Sequence, residues 1–175
     1  MTDAILSPEA LVERHTGNKP LIVNNVLYGC DAIVAAWMNE KGFDLDLTIV
    51  GFVAMGIIDP KRETNNLVDL LIGGCYFYNH FQGHNRNDIS VAAVMTEPAA
   101  SHRSSVRQIL SYPFQQLGLK RISAECDPTN HRLLRQLDIL GFVKEGEKPF
   151  VRDDGGPFCI FGLYADRCPF WTEGN

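Results

Sequence analysis

The sequence predicts a mixed α/β fold: one central sheet, partly antiparallel and partly parallel, covered by helices. Three observations predict it. Apolar runs with strand character over 47–58, 67–81 and 88–95 are separated by turn-rich joints at 59–66 and 83–87, the pattern of an antiparallel meander. Beyond residue 100 helical and strand-like periodicities alternate, which implies strand–helix–strand crossovers. The 175 residues contain no internal repeat and no linker, so 1–175 reads as a single domain able to bury a substantial core.

Each element has its own local reason. Ser7 as cap and Pro8 in the first turn open a helix over 7–15. Residues 20–27, rich in Leu, Ile and Val, read as a strand. Ile33, Val34, Trp37 and Met38 recur at helical spacing over 31–41, and Gly42 closes that helix. Asp59-Pro60 ends the first meander strand. Gly73-Gly74 in the second marks a bulge or a close backbone approach. Residues 101–117 form a helix with Val106, Ile109, Leu110, Phe114 and Leu117 on one face, kinked at Pro113 and stopped by Gly118. A strand over 120–126, a helix over 130–140 stopped by Gly141, the start of a strand at 142–145 and a last strand over 158–166 complete the chain.

Bulk properties exclude several classes. A net charge of −5 argues against coating nucleic acid by bulk charge. The longest apolar run, 67–81, carries Asp69 and two glycines and is too short for a bilayer. Asp3 and Glu9 precede any basic residue, unlike a secretory signal. Five scattered cysteines without a CxxC pair read as free thiols of a reducing compartment, so a cytoplasmic location is expected.

The most informative stretch is 120–147, KRISAECDPTNHRLLRQLDILGFVKEGE. Leu133, Leu134, Leu137 and Leu140 make an apolar stripe, Arg132, Arg135 and Asp138 face away from it, and Gly141 suits a left-handed helix stop. Its Asn-initiated helix, its Leu140-Gly141-Phe142 ending and the following Glu145-Gly146 resemble the GNAT (general N-acetyltransferase) superfamily. The preceding LSYPFQQLGLKR, 110–121, resembles a subset of GNAT-like proteins commonly encoded by bacteriophages. The resemblance covers roughly 45–171.

The resemblance implies a GNAT-like sheet of about six to seven strands flanked by helices, with the fourth and fifth strands, 88–95 and 120–126, splayed apart around acetyl-CoA. The pantetheine arm would pair with main-chain groups near Val94 and Met95. The diphosphate would sit at the start of the next helix, and Asn130 belongs to the same cofactor site. The usual glycine-rich phosphate turn is replaced here by Pro98-Ala99-Ala100-Ser101-His102-Arg103-Ser104-Ser105. Small residues at Ala99 and Ala100, the hydroxyls of Ser101, Ser104 and Ser105, and the charge of Arg103 are compatible with phosphate; Ser101 or Ser104 is equally compatible with plain helix capping.

The tyrosine that many GNAT enzymes use to protonate the leaving thiolate is matched here by Leu137. Candidates for removing the amine proton are Glu125 and, more remotely, Tyr164, each also readable as structural. The implied activity is N-acetylation of a primary amine on a small molecule or protein. Alternatives are base modification of DNA, as in phage proteins of the Mom type, and a non-catalytic binding protein. The pair His80 and His84 lacks a carboxylate partner and no metal site is expected. Cys126, a strand cysteine, reads as inert. The basic residues Arg103, Arg107, Lys120, Arg121, Arg132 and Arg135 read as solvated faces or a phosphate patch. Acceptor-side loops are expected at 28–31 and 148–157. The aromatic pair Phe170-Trp171 suggests a dimer interface or a segment folded back on the core.

Overall fold

The computed structural model describes residues 20–45, 51–80 and 87–171. The helix expected over 7–15, the first part of the 47–58 run and His84 lie outside them. Among the described residues eight strands form one sheet in the order β1-β2-β3-β4-β5-β6-β8-β7. Every neighbouring pair is antiparallel except β5 (Asp88–Met95) and β6 (Arg121–Cys126), which run parallel.

The expected six to seven strands become eight because the run 20–27 is a hairpin, β1 (Leu21–Val23) and β2 (Val26–Tyr28). Asn24 and Asn25 turn the chain with φ of 49° and 62°. Asparagine tolerates this left-handed pair, the requirement of a two-residue hairpin turn. Helix α1 (Asp31–Glu40) follows, as its periodicity requires. β3 (Val53–Ile58) starts later than expected, after Gly51 at φ 91°.

The run 67–81 also divides. Its first four residues form a single helical turn, α2 (Leu67–Leu70), because Asn66 caps it by accepting from the Val68 N–H at 3.1 Å. β4 (Leu71–Tyr78) then runs through the middle of the sheet. The bulge falls at Ile72, since Ile57 faces Gly73 while Ile58 faces Leu71. Gly73 and Gly74 serve close approach instead. A Cβ on Gly73 would lie 3.0 Å from the Ala100 methyl, and one on Gly74 3.0 Å from Met38.

The predicted helix over 101–117 is broken into three pieces. A 3₁₀ turn (Pro98–Ser101) ends at His102, whose ψ of 136° breaks the helix; α3 is Arg103–Ser111. The kink expected at Pro113 takes the form of a π-helical turn, Tyr112–Gln116, closed by Leu117 N–H donating to the Tyr112 carbonyl. Helix α4 (His131–Leu140) is capped by Asn130, which accepts from Leu133 N–H at 3.0 Å, and stopped by Gly141 at φ 87°. β7 (Val143–Lys148) and β8 (Phe158–Tyr164) form the closing hairpin.

Two cores flank the sheet. On one face α1 packs Val34, Trp37 and Met38 against Ala54 and Tyr76. On the other, α3 and the π turn pack Val106, Ile109, Leu110 and Phe114 against β4–β6 and β8; α4 packs beside them through Leu137 on Ala124 and Phe161. Phe170 and Trp171 fold back, half-buried, on this second core, with the Trp171 ring 6.0 Å from Phe114. All five cysteines are free and buried. Among the described residues no helix is long and apolar enough to cross a membrane.

Candidate functional site: a gap between parallel strands

β5 and β6 pair at only three positions, Asp88 with Arg121, Ile89 with Ile122 and Ser90 with Ser123. Beyond these they part. Five residues of β5 and three of β6 continue unpaired with one another, roughly 16 and 10 Å of strand at ~3.3 Å per residue. The pairing is thus a V with its vertex near Ser90 and Ser123.

The closed end is fastened by charge. Ser123 Oγ lies 2.8 Å from both carboxylate oxygens of Asp88, and Arg121 Nη1 lies 2.7 Å from Asp88. Arg121 also binds Glu145 on the bulge of β7, and the Tyr164 hydroxyl donates to the same Glu145. Hydrogen bonding by Arg121 holds the Glu145 carboxyl below its ordinary range, and Glu145 in turn keeps the Tyr164 phenol protonated to higher pH. Tyr164 therefore belongs to this bolt. It pairs with Arg121, four residues and about 13 Å of strand from Glu125.

At the open end a cavity of about 170 Å³ passes through the sheet. On the α1 side it is lined by Phe43, Tyr78, Ala92 and Glu125; on the α3 and α4 side by Val106, Ile109, Leu137 and Leu140 among others. Thr96 N–H donates to the Ile72 carbonyl directly opposite it, so alternation along the ladder commits the main chain of Val94 to β4. The main-chain groups of Ala93 and Met95 consequently face the gap. Arg132 of α4 reaches across and donates to the Met95 carbonyl at 3.2 Å.

The start of α3 is open, because its first residue is preceded by His102, whose side chain makes no capping bond. His102 Nδ1 and Ser104 Oγ lie 2.8 Å apart, and Ser101 Oγ is 3.1 Å from Met95 Sδ. Of these three, Ser101 touches β5, through Met95 at the open end of the gap. Two of their sequence neighbours are engaged elsewhere. Ser105 is fully buried and donates to the Asn24 carbonyl at 3.0 Å; Arg103 donates to the Pro169 carbonyl at 3.2 Å and stacks over Phe170. Asn130 spends its side-chain oxygen on capping α4.

Glu125 stands at the opening, half-exposed, with Lys148 of β7 at 2.7 Å. Tyr78 completes a trio there. Its phenol pKa is raised by burial first and by the Glu125 carboxylate second, with Lys148 opposing. The Lys148 pKa is raised by its hydrogen bond to Glu125. Sequence reasoning found Glu125 and, in the acceptor-side loop expected at 148–157, Lys148, but missed Tyr78 and Phe43. Arg152 ties that loop to Asp127 at the end of β6. Cys126 is buried and its thiol pKa is raised by that burial, as expected of an inert cysteine. Tyr28, in the other expected acceptor loop, is buried and held by Gln108 at 2.8 Å. Among the described residues no three His, Cys, Asp or Glu side chains group closely enough to share a metal ion.

No protein-family model and no curated protein sequence matches the chain. Solved structures do. A ribosomal-protein-S5-alanine acetyltransferase from Vibrio fischeri aligns over 67% of this chain with 21% identity and a TM-score of 0.53. RimJ of Mycobacterium smegmatis, solved in complex with CoA-disulfide, aligns over 86% with 14% identity and a TM-score of 0.58. A GCN5-related N-acetyltransferase from Brucella melitensis aligns over 67% with 17% identity and a TM-score of 0.52. The chain spans 64%, 88% and 52% of those three chains, respectively. At these identities the likeness is one of fold, and the fold is that of the GNAT acetyltransferases.

Proposed function

We propose that the protein is an N-acetyltransferase that moves an acetyl group from acetyl-CoA to a primary amine. The single observation that carries this reading is the β5–β6 gap, lined from both faces of the sheet and bordered by main-chain groups of Ala93 and Met95 that β6 does not pair. The residues fit a CoA thioester. A pantetheine amide added beside β5 finds a donor and an acceptor there, in the manner of an added strand. The uncapped N–H groups at the start of α3, with Ser101, His102 and Ser104 around them, suit a diphosphate. The Arg132 guanidinium lies near the same mouth.

The acceptor amine comes from the opposite face, beside Tyr78, Phe43 and Glu125. Its lone pair attacks the thioester carbonyl carbon; the C–N bond forms and the C–S bond breaks. Glu125 takes the proton lost by nitrogen, Lys148 keeps that carboxylate oriented, and the CoA thiolate is protonated by solvent, since Leu137 offers no acid. Orientation supplies most of the acceleration in such a transfer, and one positioned base contributes about 10²–10⁴-fold. The acceptor class we favour is an aliphatic ammonium able to lose its proton beside an aromatic wall. The resemblance at 110–121 supports a place among the phage-type members of the fold.

Thermal unfolding with CoA and acetyl-CoA tests the reading. A ligand at 100 times its Kd should stabilise the protein by about 2.7 kcal/mol. A panel of small amines and N-terminal peptides with acetyl-CoA, followed by release of free thiol, then tests the transfer. Absence of stabilisation by either thioester or free CoA would remove the proposal. Salt-sensitive DNA binding without CoA binding would favour the base-modification alternative.

A further inference from the structure

The cavity continues past the strand gap into the second core. Its inner wall is built by Val106, Ile109 and Leu110 of α3, Leu140 of α4 and Leu163 of β8. The polar side chains of its lining, Tyr78, Glu125 and Gln136, come from β4, the outer part of β6 and α4; α3 and β8 contribute hydrocarbon alone. The α3 and β8 walls offer water no hydrogen-bond partner, and surroundings of that kind stay dry and take up hydrocarbon; the whole cavity, its polar mouth at Glu125 included, measures about 170 Å³.

Two parts of a CoA thioester compete for the space. The pantetheine arm carries two amides, whose donors and acceptors need partners once out of water. The β5 edge offers them at Ala93 and Met95; the α3 wall offers none. The arm therefore belongs along β5, with its sulfur toward the vertex near Val91 and Ala124. From that point the remaining volume, between α3 and α4, suits an unbranched hydrocarbon tail.

Resting on the CoA-thioester reading above, we infer that the donor site accepts and prefers acyl groups longer than acetyl, with the tail lying against the hydrocarbon wall between α3 and α4. Transfer then proceeds by the same bond changes, C–N formed and C–S broken, with a longer acyl group on the product amine.

The test is a calorimetric titration of the full chain with free CoA, acetyl-CoA, butyryl-CoA, hexanoyl-CoA and decanoyl-CoA, each below its micellar concentration. Each buried methylene should tighten binding about fourfold, so hexanoyl-CoA should bind on the order of 100-fold more tightly than acetyl-CoA, with no further gain at decanoyl. Leu110→Trp, which fills the chamber from α3, should abolish the hexanoyl advantage and leave the affinity for free CoA unchanged. The wild-type series decides the question even if that variant does not fold. Binding of free CoA with no dependence on chain length, or with acetyl-CoA tightest, overturns this inference and leaves the transferase reading standing. Failure of free CoA and every thioester to bind overturns the transferase reading, and this inference with it.

Discussion

Two adjacent residues of β5 make opposite predictions for the same substitution. The Ala93 N–H faces the gap and has no partner on β4, whereas the Val94 N–H belongs to the ladder with β4. Proline removes an N–H and is tolerated in a strand only where that N–H faces away from a neighbour. Ala93→Pro should therefore fold, with a melting temperature within a few degrees of wild type. Val94→Pro breaks a bond in the centre of the sheet and leaves its β4 acceptor unsatisfied, at a cost of up to about 3 kcal/mol. For a chain of this size a cost at that upper end lowers Tm by roughly 6–12 °C, at ~2–4 °C per kcal/mol. Ligand binding should respond in the reverse sense. Ala93→Pro leaves a pantetheine carbonyl without its donor, a loss of roughly 1–3 kcal/mol, or about 5- to 150-fold in CoA affinity. Thermal unfolding gives the first quantity and calorimetry with CoA the second. Equal destabilisation by the two prolines, or CoA affinity unchanged in Ala93→Pro, would refute this assignment of main-chain directions.

Other consequences follow from the same geometry. Glu125→Gln should lower the rate of acyl transfer about 10²–10⁴-fold while changing stability by less than ~1 kcal/mol, because its partner Lys148 is half-exposed; amine-dependent thiol release and a melting curve read the two. Glu145 has a depressed carboxyl pKa in the fold, caused first by Arg121, so it stabilises the protein above its ordinary pKa of 4.5 and that contribution is lost as pH falls through the lower folded value. Melting temperature measured from pH 7 to pH 3 should consequently fall more steeply below pH 4.5 in wild type than in Glu145→Gln. Asn130→Ala should cost about 1 kcal/mol through loss of the α4 cap, read by urea unfolding. Gly141→Ala should cost more than the cap, because φ is 87° and the new methyl would lie 2.7 Å from the Pro169 ring.

What the sequence disclosed was chiefly local chemistry. Asn130 and Gly141 bound α4 because a cap and a left-handed stop are written in single residues. Pro113 signalled a defect, although its form as a π turn depends on how the helix end docks. The Asn24-Asn25 turn was present in the sequence and passed over, since the apolar residues on either side read as one strand. Leu67–Leu70 misled for the opposite reason: four residues of strand-like composition obey the Asn66 cap.

The site was legible only in part. The gap followed from the family resemblance, and Glu125 from its strand. Lys148 reaches Glu125 because β7 pairs Lys148 with Phe158 while β8 pairs Ile160 with Glu125, a register no local signal contains. Ser105 and Arg103 looked like phosphate ligands beside Ser104. Their actual partners, Asn24 and Pro169, lie 81 and 66 residues away in the chain.

Amide hydrogen exchange at Ala93 and Met95, followed with and without CoA, bears most directly on whether strands 88–95 and 121–126 leave room for a guest. Both amides should exchange rapidly in the free protein, while that of Val94 is protected, and both should slow at least tenfold once CoA saturates the site. Protection of all three in the free protein, or indifference of Ala93 and Met95 to CoA, would contradict the account.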